Sequence, residues 1–176
     1  TGKFITQLNE KTMRFNNRFD AGLQLAFKLK KYVTEPSVVL AVPKGGVPVA
    51  YIIASELNFP MQLVLTKKIG HPTNKEYAIG AASITDYFVV PHDDVTDDYI
   101  EEEVKRVQLK LKEMQQMFMG DRKPLPLKGK TVIIVDDGIA TGNTMLTTIK
   151  VIRKEDPEKI IIATPVTSAK AYKKLA

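Results

Sequence analysis

The sequence predicts an α/β fold: a Rossmann-like, mostly parallel sheet with helices on both faces. Continuous apolar runs rich in β-branched residues over 38–42, 131–135 and 160–163 are typical of strands that are covered on both faces. Helical patterns alternate with these runs, as they do in sheets built from right-handed crossovers. The length of 176 residues suits one domain over residues 1–176 with its own hydrophobic core.

The first part of the chain is expected to form one helix before the first of these strands. Asn16 or Asn17 can cap this helix, because a short polar side chain accepts hydrogen bonds from the free amides at a helix start. The helix is expected to run to about Tyr32 and to end before Pro36. Its apolar spacing predicts a buried face formed by Phe19, Leu23, Ala26, Leu29 and Val33.

A long helix and several shorter elements complete the prediction. Apolar residues spaced by three and four over residues 100–118 predict a helix that begins at Asp97 or Asp98. Its acids at 101–103 are expected in the first turn, on a solvated face that suits the helix dipole. The other expected elements are a helix over 47–57, a strand over 61–66, a polar loop over 67–80, a hairpin or strand over 81–90, a connector over 120–129, a helix ending near 154 and a last helix from Ser168.

The formal net charge of +6 is distributed unevenly along the chain. Residues 86–103 hold eight acids and no Lys or Arg, so the rest of the chain has 26 basic residues against 12 acidic ones. Such an excess favours an anionic partner, either a phosphorylated metabolite or nucleic acid. Aromatic residues do not interleave the basic ones, so nucleic acid is the less favoured partner.

Residue types also bear on the compartment. The chain contains no cysteine, which excludes disulfides and thiolate metal sites and fits a reducing compartment. No run approaches the ~20 apolar residues that a membrane helix needs, and the N-terminus lacks an apolar signal core. We therefore expect a cytoplasmic protein without a membrane partner.

Chemically distinctive residues lie where the predicted strands end. In parallel sheets ligands bind beyond the carboxyl ends of the strands, so a single site at that edge is predicted. The sequences at these ends are Pro43-Lys44-Gly45-Gly46, Lys67-Lys68, Asp136-Asp137-Gly138 and Thr164-Pro165.

The longest of these segments, residues 136–144, is termed the Asp-Asp loop here. Gly138 and Gly142 allow tight turns and a close approach to a ligand. Backbone amides at the start of the following helix, with the Thr141 and Thr144 hydroxyls, can surround a phosphate. Two carboxylates directly before such a nest would repel the phosphate, unless they accept hydrogen bonds from neighbouring ribose hydroxyls. The loop therefore predicts a phosphorylated sugar as ligand.

Three competing motifs fail on position. The triplet Gly129-Lys130-Thr131 resembles the end of a nucleotide-binding P-loop. However, Pro124 stands where the first glycine of that motif belongs, and the triplet precedes its strand instead of following it. An aspartyl phosphatase would need a second acid or Thr where Gly138 stands. A calcium loop beginning at Asp94 would have Tyr99 in place of its glycine.

Residues 132–144, from Val132 to Thr144, resemble the signature with which type I phosphoribosyltransferases bind 5-phosphoribosyl 1-pyrophosphate (PRPP). The Lys44-Gly45-Gly46 turn resembles their pyrophosphate loop, and Lys67-Lys68 resembles their basic pair. Residues 69–80 resemble the flexible loop that closes over the site. Residues 15–22 resemble the opening helix of a subgroup known only as phosphoribosyltransferase-like, so the resemblance covers nearly the whole chain and implies the type I phosphoribosyltransferase fold.

This resemblance implies transfer of ribose 5-phosphate from PRPP to a nitrogen acceptor, such as a nucleobase, with release of pyrophosphate. It implies Mg²⁺ bound through PRPP near Asp136 and Asp137, and a homodimer. Asp137, Asp136 and Lys68 are the expected catalytic residues, with Asp137 as general base and Glu76 as another candidate base. The expected PRPP-binding residues are Lys44, Gly45, Gly46, Lys67, Lys68, Asp136, Asp137, Gly138, Ile139, Ala140, Thr141, Gly142, Asn143 and Thr144.

Other features of the prediction stay open at this point. A non-catalytic regulator that senses PRPP and binds nucleic acid is the alternative function. Family members usually continue past their last helix, so a C-terminal segment that helps to cover the acceptor is expected to be missing. His71 and His92 are expected to be surface residues and not a metal pair.

Overall fold

The computed structural model describes residues 3–5, 15–75 and 77–176. The chain forms two compact units. The first contains Thr1–Val64, Leu125–Leu146 and Glu155–Ala176, and the second contains Leu65–Pro124 and Thr147–Lys154. None of the helices in the described ranges is both long and apolar enough to span a membrane.

Eight strands and five helices make up the described chain. The strands are β1 (Lys3–Ile5), β2 (Ser37–Ala41), β3 (Met61–Leu63), β4 (Lys67–Gly70), β5 (Ala78–Ala82), β6 (Tyr87–Val89), β7 (Thr131–Val135) and β8 (Lys159–Ala163). The helices are α1 (Arg18–Leu29), α2 (Gly46–Leu57), α3 (Asp97–Met119), α4 (Asn143–Ile152) and α5 (Ala169–Leu175). Short 3₁₀ segments, Lys30–Tyr32 and Arg153–Glu155, extend α1 and α4.

The first unit is built on a five-stranded sheet in the order β1-β8-β7-β2-β3, with every pair parallel. Ala41 of β2 lies opposite Val135 of β7, which in turn lies opposite Ala163 of β8. The carboxyl ends of these three strands are therefore level at one edge of the sheet. The predicted α/β class with a mostly parallel sheet is confirmed.

Both faces of this sheet are buried, as the continuous apolar runs require. On one face Val39 and Ile133 pack with residues of α1 and α2 in a single core cluster. On the other face Val38 and Ile134 are also fully buried. Burial on both faces explains why the strands show no alternation of polar and apolar residues.

The buried face of α1 differs from the predicted one. Phe19, Leu23 and Val33 are exposed, whereas α1 packs through Ala21, Gly22, Leu25, Ala26 and Leu29. The cause is a close crossing with α2: a Cβ on Gly22 would lie 2.7 Å from Ile52 Cβ. Small residues allow that approach, so the helix turns its larger apolar side chains outward. The predicted cap is confirmed, because Asn17 accepts a hydrogen bond from the Asp20 amide at 3.0 Å.

The second unit holds an antiparallel sheet, β4-β5-β6, against which α3 packs. The prediction of a polar loop over residues 67–80 is therefore wrong at both ends, where β4 and the start of β5 are found. Ile69 and Ile79 are buried in the core of this unit, and their strands pair with each other. Only residues 71–77 connect the two strands, so the segment resembling a closing loop is shorter than expected.

Helix α3 begins where the sequence predicted, but its acids are placed differently. Thr96 caps the helix, and Asp97 and Asp98 occupy its first turn. Glu103 lies in the second turn and is only 6% exposed, so the prediction of a solvated acidic face is wrong at this residue. Two cations explain its burial, since Arg106 and Lys75 both form ion pairs with its carboxylate.

Candidate functional site

The carboxyl ends of β2 and β7 bring two of the predicted segments together within the first unit. The amide of Val42 donates to the Val135 carbonyl at 2.9 Å, so β2 stays beside β7 as the chain enters the Lys-Gly-Gly turn (residues 44–46). A Cβ on Gly46 would lie 2.5 Å from the Val135 carbonyl oxygen and 2.9 Å from Asp136 Cα. Glycine at this position therefore permits direct contact between the turn and the Asp-Asp loop.

Gly45 makes the corresponding contact with the second acid. A Cβ on Gly45 would lie 2.5 Å from Asp137 Cγ, although its own backbone has ordinary right-handed helical angles. Glycine is needed here for space and not for an unusual conformation. The Lys-Gly-Gly turn and the carboxylate of Asp137 thus line the same part of the sheet edge, with Lys44 exposed beside them.

Arg18, the first residue of α1, adds a cation that the sequence analysis did not single out. Its Nε and Nη2 atoms both donate to Asp137 Oδ2, at 3.0 and 2.6 Å. The sequence does indicate the position of Arg18. Asn17 caps α1, so Arg18 is expected at the first position of the helix. The pairing itself spans 119 positions and could not be deduced from spacing.

Asp136, the first acid of the loop, is half-buried. The pKa of its carboxyl is raised to about 6, mainly by burial, and the neighbouring charge of Asp137 contributes to the rise. The Asp137 amide opposes these effects by donating to Asp136 Oδ1 at 2.9 Å. The pair therefore combines one carboxylate that titrates near neutrality with one that a guanidinium holds in place.

The middle of the Asp-Asp loop is anchored by Ile139, whose side chain is buried. The Ile139 amide donates to the Val166 carbonyl at 3.0 Å, and its carbonyl accepts from the Ser168 amide at 3.0 Å. Gly142 has a φ of +75°, which glycine adopts without strain. These contacts fix the course of the loop between β7 and α4.

The exposed part of the loop has the groups that a phosphate requires. Ala140, Thr141, Asn143 and Thr144 are exposed, and α4 begins at Asn143. Amides in the first turn of a helix have no acceptor within the helix, and the helix dipole favours an anion there. Thr141 Oγ1 already accepts from the Asn143 amide at 3.4 Å, which bends the loop around its own amides.

Helix α5 supports the loop from behind. The Ser168 hydroxyl donates to the Ala140 carbonyl at 2.5 Å and accepts from the Ala171 amide at 3.0 Å, so one side chain both caps α5 and holds the loop. Lys174 of the same helix donates to the Asn143 side chain. These contacts were not predicted from the sequence, because they join residues about thirty positions apart.

The remaining predicted residues lie in the second unit or outside the described residues. Lys67 and Lys68 are exposed at the start of β4, in the second unit. Glu76 lies outside the described residues. His71 is buried and its Nε2 lies 3.1 Å from Asp94 Oδ2, so the prediction that it is a surface residue is wrong. A partner for each ring nitrogen explains this burial, since Nδ1 lies 2.9 Å from Thr73 Oγ1.

Comparison with known proteins agrees with this geometry. The family model described as "Phosphoribosyl transferase domain" matches residues 16–175. The chain belongs to the phosphoribosyltransferase family. The match runs through both units of this phosphoribosyltransferase chain, while the single-domain prediction for residues 1–176 stays a prediction.

Relatives of this phosphoribosyltransferase include a Mycobacterium tuberculosis H37Rv protein named "Putative phosphoribosyl transferase", 36% identical over 157 residues. The chain spans about a third of the length of the curated relatives it matches, 35%, although 86% of the chain is aligned. The crystal structure of the protein TT1426 from Thermus thermophilus superposes with a TM-score of 0.81 and 35% identity, covering 93% of this chain and 80% of that one. A purine phosphoribosyltransferase from Pyrococcus horikoshii shares the fold, with a TM-score of 0.53, 20% identity, and coverage of 95% and 80%.

Proposed function

We propose that this phosphoribosyltransferase transfers ribose 5-phosphate from PRPP to a nitrogen of a small acceptor, most simply a nucleobase, and releases pyrophosphate. The observation that carries the proposal is the contact between the Asp137 carboxylate and Gly45. This contact places the two acids, which we assign to the sugar, and the Lys-Gly-Gly turn, which we assign to an anion, at the same edge of the sheet. The proposed phosphate site at the start of α4 follows the two acids in the sequence.

Asp136 and Asp137 hold the ribose in this proposal by accepting hydrogen bonds from its two hydroxyls. Arg18 donates to Oδ2 of Asp137 from both Nε and Nη2, and the proposal assigns Oδ1 to a ribose hydroxyl. Arg18 is thus a positioning residue that orients the carboxylate. The 5-phosphate binds the amides and hydroxyls of residues 140–144, where the start of α4 favours an anion.

The pyrophosphate leaves against positive charge and backbone donors. Lys44 and the amides of the Lys-Gly-Gly turn stabilise its oxygens, because groups fixed in advance toward developing charge usually contribute most to catalysis. Lys67 and Lys68 are assigned to the same role by their likeness to the family's basic pair. Their assignment, with Lys68 as a catalytic residue, is part of the proposal.

The chemical step breaks the bond between ribose C1 and the pyrophosphate oxygen and forms a bond from C1 to the acceptor nitrogen. The C1–O electron pair leaves with pyrophosphate, and the acceptor nitrogen loses a proton. Asp137 accepts that proton as general base, and the two carboxylates stabilise the cationic ribose ring beside them.

Mg²⁺ fits this site if the ligand supplies most of its oxygen atoms. Within the described ranges, no group of three or more His, Cys, Asp or Glu side chains could hold a metal ion. Asp136 and Asp137 provide the hard oxygen donors that Mg²⁺ prefers, and it often binds through one or two carboxylates plus phosphates. When bound, the ion would supply positive charge to the pyrophosphate. A homodimer and a cytoplasmic location likewise stay predictions.

The test measures pyrophosphate release from PRPP with a panel of purine and pyrimidine bases. The Asp137→Asn variant is expected to lose at least about 100-fold in turnover, since general-base catalysis contributes roughly that much or more. PRPP affinity in calorimetry should fall as well, while thermal unfolding stays close to wild type because the residue lies on a loop. Asp93→Asn, which neutralises an exposed acid in the second unit, is the matched control.

Three outcomes separate the hypotheses. Release with at least one base, lost in Asp137→Asn and kept in Asp93→Asn, supports the transferase. PRPP binding without release, together with nucleic-acid binding that weakens steeply with salt, would support the regulator instead. Unchanged PRPP affinity in Asp137→Asn would contradict the assignment of the ribose to this carboxylate.

A further inference from the structure

The second unit contains a small cavity lined mainly by cations, termed the basic cavity here. Its volume is about 170 Å³. Among the described residues that line it, Glu103 is the one acid. The charged lining residues are Lys67, Lys68, Lys75, Arg106, Lys110 and Glu103. Five cations against one carboxylate leave a strong local excess of positive charge around a defined space.

Glu103 organises this lining from the buried side. Its carboxylate accepts from Arg106 Nε at 2.8 Å and from Nη2 at 2.5 Å, and Lys75 Nζ lies 3.5 Å from it. The hydrogen bond from Arg106 is the main cause that lowers the pKa of the Glu103 carboxyl. The guanidinium is therefore held in one orientation, and its Nη1 atom is not used in these two bonds.

Lys75 is fixed by a second contact. Its Nζ atom donates to Tyr99 Oη at 2.5 Å, and that hydroxyl donates to the Gly70 carbonyl at 2.6 Å. A lysine on a connecting segment would ordinarily sample many rotamers, and ordering it costs conformational entropy. Here the chain of contacts places its charge beside Arg106 before any ligand arrives.

The cations on α3 also repel one another. Arg106 and Lys110 are four positions apart on the same helix face, an arrangement in which like charges destabilise a helix. Glu103 offsets Arg106 and Lys75, but Lys67 and Lys110 face the same space with no further acid among the described lining residues. An anion in the cavity would relieve this repulsion and meet several donors at once.

We propose that the basic cavity is a binding site for a phosphoryl anion, separate from the Asp-Asp loop of the first unit. A volume of about 170 Å³ admits a phosphate or pyrophosphate group but is small beside the ~300 Å³ at which whole-ligand pockets begin. Arg106, Lys75 and Lys110 are the proposed donors. The phosphoryl group belongs to a phosphorylated effector, because the pyrophosphate of the reaction is already assigned to the PRPP site.

A larger cavity in the same unit shows that this lining is not a general property of its surface. That cavity has a volume of about 620 Å³. Its described lining contains two acids, Asp86 and Asp97, and one lysine, Lys154, among mostly apolar and aromatic side chains. Such a lining does not favour a phosphate. The two cavities therefore differ in the charge of their described linings.

The experiment titrates the protein with inorganic phosphate and with pyrophosphate by calorimetry at low and high salt. Lys110→Gln removes one lining cation. Lys112→Gln removes the same charge from an exposed position on the same helix that does not line the cavity. Loss of one charge-assisted donor should weaken binding about three- to tenfold in Lys110→Gln and leave Lys112→Gln near wild type.

The KM for PRPP separates this site from the one that binds the substrate. Weaker phosphate binding in Lys110→Gln with an unchanged KM for PRPP supports a separate effector site. Weaker phosphate binding with a raised KM for PRPP would contradict the proposal, because the cavity would then receive the pyrophosphate of the reaction. Equal affinities in the two variants, or no phosphate binding to wild type, would overturn the proposal. Phosphate binding does not depend on turnover, so this result stands apart from the fate of the proposed function.

Discussion

Gly45 and Gly46 are neighbours in sequence, yet an added methyl group would meet different kinds of atom at each. At Gly45 the nearest atoms belong to the Asp137 carboxylate, a side chain that can rotate away. At Gly46 the nearest atoms are the Val135 carbonyl oxygen and Asp136 Cα, which are backbone atoms of β7 and its loop. Function and stability therefore depend separately on the two glycines.

Alanine substitutions should separate these roles. Gly45→Ala is expected to weaken PRPP binding about tenfold or more by displacing Asp137, while unfolding free energy falls by less than about 1 kcal/mol. Gly46→Ala should cost about 1–3 kcal/mol, the usual penalty for forcing atoms into a packed region. Urea unfolding and PRPP calorimetry on both variants check the contrast. Equal stability losses would show that Asp137 cannot move as proposed.

At the scale of elements, α5 links the C-terminal part of the chain to the proposed phosphate nest. Ser168 accepts from the Ala171 amide as the cap of α5, and the same hydroxyl donates to the Ala140 carbonyl. A simple cap, by contrast, is found at Thr96, whose hydroxyl accepts from the Tyr99 amide at the start of α3. The two residues provide a matched pair for testing whether α5 does more than pack.

Removing each hydroxyl should destabilise the protein by about 1 kcal/mol, because both substitutions remove a helix cap. Ser168→Ala should in addition weaken PRPP binding about three- to tenfold, since the Ala140 carbonyl loses its donor and the loop loosens. Thr96→Ala should leave PRPP affinity unchanged. The measurements are thermal unfolding and calorimetry; a loss of affinity in both variants would point to general destabilisation.

Elements were predictable where local pattern decides them. The runs that form β2, β7 and β8 are mostly apolar, and their residues are mostly buried. A short, continuous β-branched run of this kind is typical of a strand that is covered on both faces. The sequence predicts a loop where β4 forms, because residues 67–80 are polar and contain Gly70, Pro72 and Asn74. The strand character of β4 depends on pairing with β5, which is a tertiary contact. β1 has three residues and was not predicted, since its pairing with β8 lies far along the chain.

Predictability of the candidate site follows the same division. The Asp-Asp loop and the Lys-Gly-Gly turn follow strands, and the parallel sheet alone implies that neighbouring strand ends meet. Arg18, Ser168 and the buried Glu103 could not be found in this way, because each acts through a partner that only the fold brings near. Long-range ion pairs and hydrogen bonds leave no periodic trace in a sequence.

At the scale of the whole molecule, Asp136 makes stability depend on pH in an unusual direction. Its folded pKa is about 6, above the ordinary value of 3.8, so the folded state binds a proton more tightly than the unfolded state. A raised pKa of this kind contributes stability below about pH 4 that is lost as pH rises toward 6. Carboxyls with lowered pKa values, such as that of Glu103, act oppositely and lose their contribution as pH falls below about 4.

Asp136→Asn should therefore be more stable than wild type at pH 8, by about 1–2 kcal/mol once partial solvent screening is allowed for. The gain should shrink as pH falls from 6 and vanish near pH 4, because wild-type Asp136 is then protonated and resembles the amide. The Asn side chain can still accept a hydrogen bond from the Asp137 amide through Oδ1, so this local hydrogen bond is retained. Urea unfolding at pH 4, 6 and 8, with Asp93→Asn as control, measures this trend. If the gain in unfolding free energy were the same at every pH, Asp136 would not titrate between pH 4 and pH 8. Burial would then not raise its pKa as described.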